Sequence, residues 1–122
     1  MKLRSRPIGW SELTNVCSSL QHTAYHESGH AIVGLNTEGA LPIDEATIMP
    51  CGSALGMVTQ LPSSDETLIS KKQLLARLDV FMGGKVAEEL IFGEEHVTTG
   101  ASSGLNIATE LAQYMVYKFF LK

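Results

Sequence analysis

Two histidines four residues apart, His26 and His30, lie in a stretch from about Leu20 to Leu35 where Ala24, Ala31, Ile32 and Leu35 recur at helical spacing. Ser18 or Ser19 can cap its start, and Asn36-Thr37-Glu38-Gly39 stops it. An α-helix turns once in about 3.6 residues, so the two imidazoles stand one above the other on one face. Gly29 and Ala31 keep the helix slim there, and a neighbouring element is expected to pack close.

Two imidazoles placed this way can reach one ion, with Zn–N bonds of about 2.0–2.1 Å. Glu27 points at an angle to that face. It is placed to take a proton from a metal-bound water rather than to bind the metal. A catalytic zinc normally takes three protein ligands and keeps one open position. By chemistry alone the third ligand is one of Asp79, Glu88, Glu89 and His96. His22 shares the face, but a straight run at i, i+4, i+8 splays too far to close on one ion. The competing reading is two surface histidines that fall at this spacing by chance. The helical setting and the apolar Ala31-Ile32-Val33 that follows argue against it.

The rest of the chain is expected to be mainly helical with one small β element, an α+β fold. Residues 1–19 are poorly organised, because Pro7, Gly9, Ser11 and Ser18-Ser19 interrupt any helical pattern. Ala46-Thr47-Ile48-Met49 and Leu55–Leu61 are extended runs separated by Cys51-Gly52-Ser53-Ala54, which predicts an antiparallel hairpin. Ser70 caps a helix with Leu74, Leu75, Leu78 and Phe81 at helical spacing. Gly83-Gly84 breaks or kinks it, and a second piece carries Val86, Ala87, Leu90 and Ile91 on one face. A last helix starts near Leu105, with Ile107, Ala108, Leu111, Met115 and Phe119 facing inward. Glu88-Glu89 reads as a solvated helix face or an ion pair with Lys85.

With 122 residues, 44% hydrophobic and 18% charged, the chain fits one ordinary globular domain. Its net charge of −4 argues against a nucleic-acid partner. No apolar run is long enough to span a membrane. Cys17 and Cys51 form no CxxC pair and read as free thiols.

His22-Thr23-Ala24-Tyr25-His26-Glu27-Ser28-Gly29-His30-Ala31-Ile32-Val33 resembles the zinc helix of the FtsH-type membrane-anchored AAA proteases. Ala46–Pro50, Ala54-Leu55-Gly56, Gly83–Gly93 and Thr99-Gly100-Ala101-Ser102 agree with the same family in order and spacing, most closely with organellar members of plant type. The resemblance covers about Gln21 to Val116. It implies a mainly helical zinc metalloendopeptidase domain over residues 20–122, working in hexameric rings on unfolded or membrane polypeptides, in a chloroplast or mitochondrion. Full-length paralogues are possible ring partners. ATP enters only through an ATPase module, which this sequence lacks, and the chain reads as truncated at its C-terminus.

By the same resemblance His26 and His30 are metal ligands and Glu27 the general base. The strand with Leu55, Gly56, Met57 and Val58 pairs with extended substrate. The family's third ligand is an aspartate, and the matching position here is Gly104. Three outcomes follow: Glu88 substitutes, water fills the position in a weak two-histidine site, or the site stays empty. The functions implied are a weak or inactive zinc peptidase, a non-catalytic subunit or interaction module on the same fold, or a degenerate fragment.

Overall fold

The computed structural model describes residues 10–49, 56–60 and 68–120. Leu55, Leu61, Cys51 and the Ser63–Glu66 loop lie outside them. Helix α1 spans Trp10–Asn36, strand β1 Ile43–Thr47, strand β2 Met57–Gln60, helix α2 Lys71–Phe92 and helix α3 Ser102–Met115. Short 3₁₀ turns at Glu94–His96 and Thr99–Ala101 join α2 to α3, and a π turn at Val116–Phe120 follows α3. The fold is mainly helical α+β, as expected. Among the described residues no helix is long and apolar enough to cross a membrane.

Helix α1 starts about ten residues before the expected Leu20. The serines expected as caps lie inside it. Their carbonyls take helical side-chain bonds instead: Thr23 Oγ1 donates to Ser19 O at 3.0 Å, and His22 Nδ1 to Ser18 O at 3.1 Å. Such bonds back to the preceding turn satisfy polar side chains without breaking the helix.

Helix α2 begins as the sequence implies. Ser70 Oγ accepts from the backbone N–H of Gln73 at 3.2 Å, and the Gln73 side chain accepts from the Ser70 N–H at 2.9 Å. This reciprocal pair satisfies two N–H groups at the helix start. The expected break at Gly83-Gly84 does not occur, and α2 runs through it to Phe92. A glycine costs an isolated helix about 1 kcal/mol. Here that cost is offset by packing, because both glycines are buried where α1 crosses. A Cβ on Gly29 of α1 would run into Gly83 O and lie 2.6 Å from the Ala87 Cβ. The slim face of α1 therefore meets a slim face of α2.

The expected apolar stripes hold in part: Leu74, Ala108 and Met115 are buried. Ile32, Leu35, Val86, Leu90, Ile91, Ile107 and Phe119 are exposed rather than inward. The core is Leu74, Ala76, Val80, Ala101, Ala108 and Met115, centred on α2 between α1 and α3.

The two strands form the expected antiparallel pair, with Ala46 opposite Val58 and Thr47 opposite Met57. The register slips between Ile43 and Glu45, so Asp44 is an extra residue on β1. The pair lies against α1.

Candidate metal centre

Helix α1 presents His26 and His30 to α2, and each ring is fixed by its Nδ1. His30 Nδ1 donates to the carbonyl of Val80 at 2.6 Å. A carbonyl can only accept, so the proton on His30 must sit on Nδ1. His26 Nδ1 faces Oε2 of Glu88 at 2.9 Å, and an ionised carboxylate likewise accepts. In the neutral rings both Nε2 atoms then carry lone pairs, and they lie 3.0 Å apart. Two bare lone pairs at that distance repel, and a proton or a cation between them relieves the repulsion. Two Zn–N bonds of tetrahedral geometry would place the nitrogens roughly 3.3 Å apart. The observed pair is close to that separation. Gly84 makes the approach possible: a Cβ there would stand 2.6 Å from Nε2 of each histidine.

Burial holds His30 below the ordinary histidine pKa of 6.5, against the raising effect of the Val80 carbonyl, and the neighbouring His26 adds to the depression. The ring is kept neutral, the state in which it can bind a metal.

Glu88 is 1% exposed. Its Oε1 accepts from Thr98 Oγ1 at 2.7 Å and from the Thr98 backbone N–H at 3.2 Å. Burial pushes its carboxyl up, but the Thr98 and His26 bonds outweigh that and hold it below 4.5. Both oxygens are thus engaged, one by Thr98 and one on the Nδ1 side of His26. Glu89, one position on, faces the other way and pairs with Lys85 at 2.5 Å.

Glu27 shares an open cleft of about 830 Å³ with both histidines, and β2 forms one of its walls through Met57, Val58 and Gln60. Gly56 brings the start of β2 against Glu27: a Cβ there would lie 2.8 Å from Glu27 Cγ. Gly104, at the start of α3, lines the same cleft. Asp79, Glu89 and His96 do not line it. His22 does, but its ring stacks on Phe92 with centroids 3.8 Å apart. Val80 and Thr98 support the centre through hydrogen bonds that the sequence did not mark, and Gly84, read from sequence only as a helix break, lies against both rings. The spacing Ala76, Val80, Gly84, Glu88, every fourth residue along one face of α2, is a pattern that could have marked Val80 and Gly84.

Two nitrogen donors converge at this centre, the Nε2 atoms of His26 and His30. Among the described residues no three His, Cys, Asp or Glu side chains gather as a metal-holding group.

Residues 17–121 match the model of peptidase family M41. The chain is 81% identical over 94 residues, 77% of its length, to the ATP-dependent zinc metalloprotease FTSH 11, chloroplastic/mitochondrial, of Arabidopsis thaliana. It is 59% identical over 97 residues to the ATP-dependent zinc metalloprotease YME1L1 of Homo sapiens and 55% over 97 residues to FtsH of Caulobacter vibrioides, 80% of this chain in each case. The matched region spans 12%, 12% and 16% of those three proteins. With the match running through both histidines, Glu27, Glu88 and Gly104, the chain belongs to peptidase family M41.

Proposed function

We propose that this chain is the peptidase unit of an ATP-dependent zinc metalloprotease whose metal centre is incomplete. It holds zinc weakly, hydrolyses poorly or not at all, and still receives extended polypeptide beside β2. One observation carries this reading. The two imidazole Nε2 atoms converge to 3.0 Å in a cleft where Gly104 supplies no third donor. Glu88 orients His26 through Nδ1 in this reading and does not serve as the substitute ligand, because Thr98 and His26 occupy its oxygens. Glu27 holds the general-base position on the cleft wall.

The names of the relatives support zinc, proteolysis and a chloroplast or mitochondrial setting. ATP acts through an ATPase module that is no part of these 122 residues. Hexameric ring assembly, with full-length paralogues as neighbours, is part of the same proposal. A non-catalytic subunit is the second reading, favoured by the same glycine: β2 and the cleft persist without a complete metal set.

Elemental analysis of the purified chain tests the proposal. It should hold less than one zinc per chain and leave casein uncut, and Gly104→Asp should raise zinc affinity. Stoichiometric zinc together with casein cleavage that Glu27→Gln abolishes would overturn it.

A further inference from the structure

Thr98 stands just before the 3₁₀ turn Thr99–Ala101, in the extended conformation of a capping residue, with φ −90° and ψ 165°. A threonine in that place usually turns its hydroxyl onto an N–H of the turn it precedes. Thr98 makes no such bond. Its Oγ1 reaches back to α2 and donates to Oε1 of Glu88 at 2.7 Å, while its own backbone N–H donates to the same oxygen at 3.2 Å. One residue thus clasps one carboxylate oxygen with two donors. Thr98 is exposed on the wall of the cleft, whereas Glu88 is 1% exposed.

These two bonds decide how the carboxylate is turned. The last torsion of a glutamate is broad, so the plane of its carboxylate swings freely until the oxygens are held. The backbone N–H alone pins Oε1 at one point. The hydroxyl adds a second, and an O–H bond to an ionised oxygen is among the stronger ones. With Oε1 held, Oε2 is left facing Nδ1 of His26 at 2.9 Å, and Nε2 of that ring faces His30 at 3.0 Å. We propose that Thr98 is a positioning residue for His26. Its hydroxyl aims the Glu88 carboxylate, and the carboxylate keeps the His26 proton on Nδ1 and the Nε2 lone pair turned to the cleft. This inference rests on the reading of Glu88 as the group that orients His26.

The test follows the ring ¹⁵N shifts of His26 in the full chain without metal, at about pH 8, where an ordinary histidine is neutral. Thr98→Val keeps the shape and the backbone N–H and removes only the hydroxyl. It should move Nδ1 and Nε2 of His26 toward the average of the two tautomers. The minor tautomer should rise roughly tenfold or more, the equilibrium equivalent of one hydrogen bond to a charged group. Thr98→Ser, which keeps the hydroxyl, should restore the shifts. His30 is held by the Val80 carbonyl and should keep its proton on Nδ1 in both variants. A threonine that only ties the loop to α2 would lower the melting temperature when replaced by valine and leave the His26 shifts in place.

If Glu88→Gln moves the His26 shifts and Thr98→Val does not, the role of Thr98 is overturned and that of Glu88 stands. If neither variant moves them, the orienting role of Glu88 fails and the proposal with it. An equal displacement in Thr98→Ser also overturns it. So does a Thr98→Val chain in which His30 loses its Nδ1 proton together with His26, since that marks a general loosening rather than a loss of aim.

Discussion

Oε2 of Glu88 lies 2.9 Å from Nδ1 of His26, and this contact decides which ring nitrogen faces the cleft. Glu88→Gln keeps an acceptor for Thr98 but can turn an amide N–H toward Nδ1. His26 then takes the other tautomer, with its proton on Nε2, the nitrogen proposed to bind zinc. Ring ¹⁵N shifts of His26 should report that switch. Zinc affinity, measured in a Gly104→Asp background, should fall about 10–100-fold. Unchanged shifts and affinity would show that Glu88 does not orient the ring.

The α1–α2 crossing should not tolerate a methyl group. Alanine is the better helix former by about 1 kcal/mol. At Gly29 the added carbon meets the Gly83 backbone oxygen and the Ala87 Cβ, and neither can swing aside. Gly29→Ala should therefore destabilise the chain by a net ~1–3 kcal/mol in urea unfolding. Gly84→Ala meets the two histidine rings instead, so its larger effect should be on metal binding.

Stability should fall on acidification in two stages. His30 has a pKa below 6.5 in the fold, so below about pH 6.5 the unfolded chain takes up its proton first. Its contribution is complete above 6.5 and is lost as pH drops through the lower folded value. Glu88 is depressed below 4.5 and behaves the same way in a more acidic window, with stability present above 4.5 and lost as the folded carboxylate protonates. Melting temperature followed from pH 8 to pH 3 should show both declines. Glu88→Gln should remove the lower one.

Gly56 fixes how closely β2 approaches α1. A Cβ there would lie 2.8 Å from Glu27 Cγ and from Thr23 Cγ2, and 2.9 Å from Thr47 O. Gly56→Ala should push the start of β2 outward and weaken polypeptide binding in the cleft by roughly fivefold or more, about 1 kcal/mol. Fluorescence anisotropy with a labelled unfolded peptide measures it. An unchanged Kd would mean that peptide does not use β2.

Much of this geometry is legible in the sequence where a local pattern decides it. The stacking of His26 over His30, the Ser70 cap, the Lys85–Glu89 pair and the hairpin all depend on residues close in sequence or on simple period. The close approach at Gly29 was legible for the same reason, since a missing side chain invites a neighbour. What failed depended on a partner far along the chain. Gly83-Gly84 looks like a break until α1 lies across it. Ile32 and Leu35 look like core until the small-residue face turns out to be the buried one. Glu88 and Glu89 are identical in type and adjacent. Only the rotation of about 100° per residue sends one into the interior and the other to Lys85. Gly104 could be weighed only against a family pattern, because a glycine at a helix start is ordinary in itself.

The unbroken course of α2 has a mechanical consequence. Val80, which anchors His30, and Glu88, which anchors His26, sit on one rod, about 12 Å apart along its axis. α1 runs back along that rod like a caliper against a scale, with both jaws set by the same piece of backbone. Any bend introduced at Gly83-Gly84 falls between the two anchor points. It would open the gap between the imidazole tips before it disturbed the rest of the fold, which makes the histidine pair a gauge of the straightness of α2.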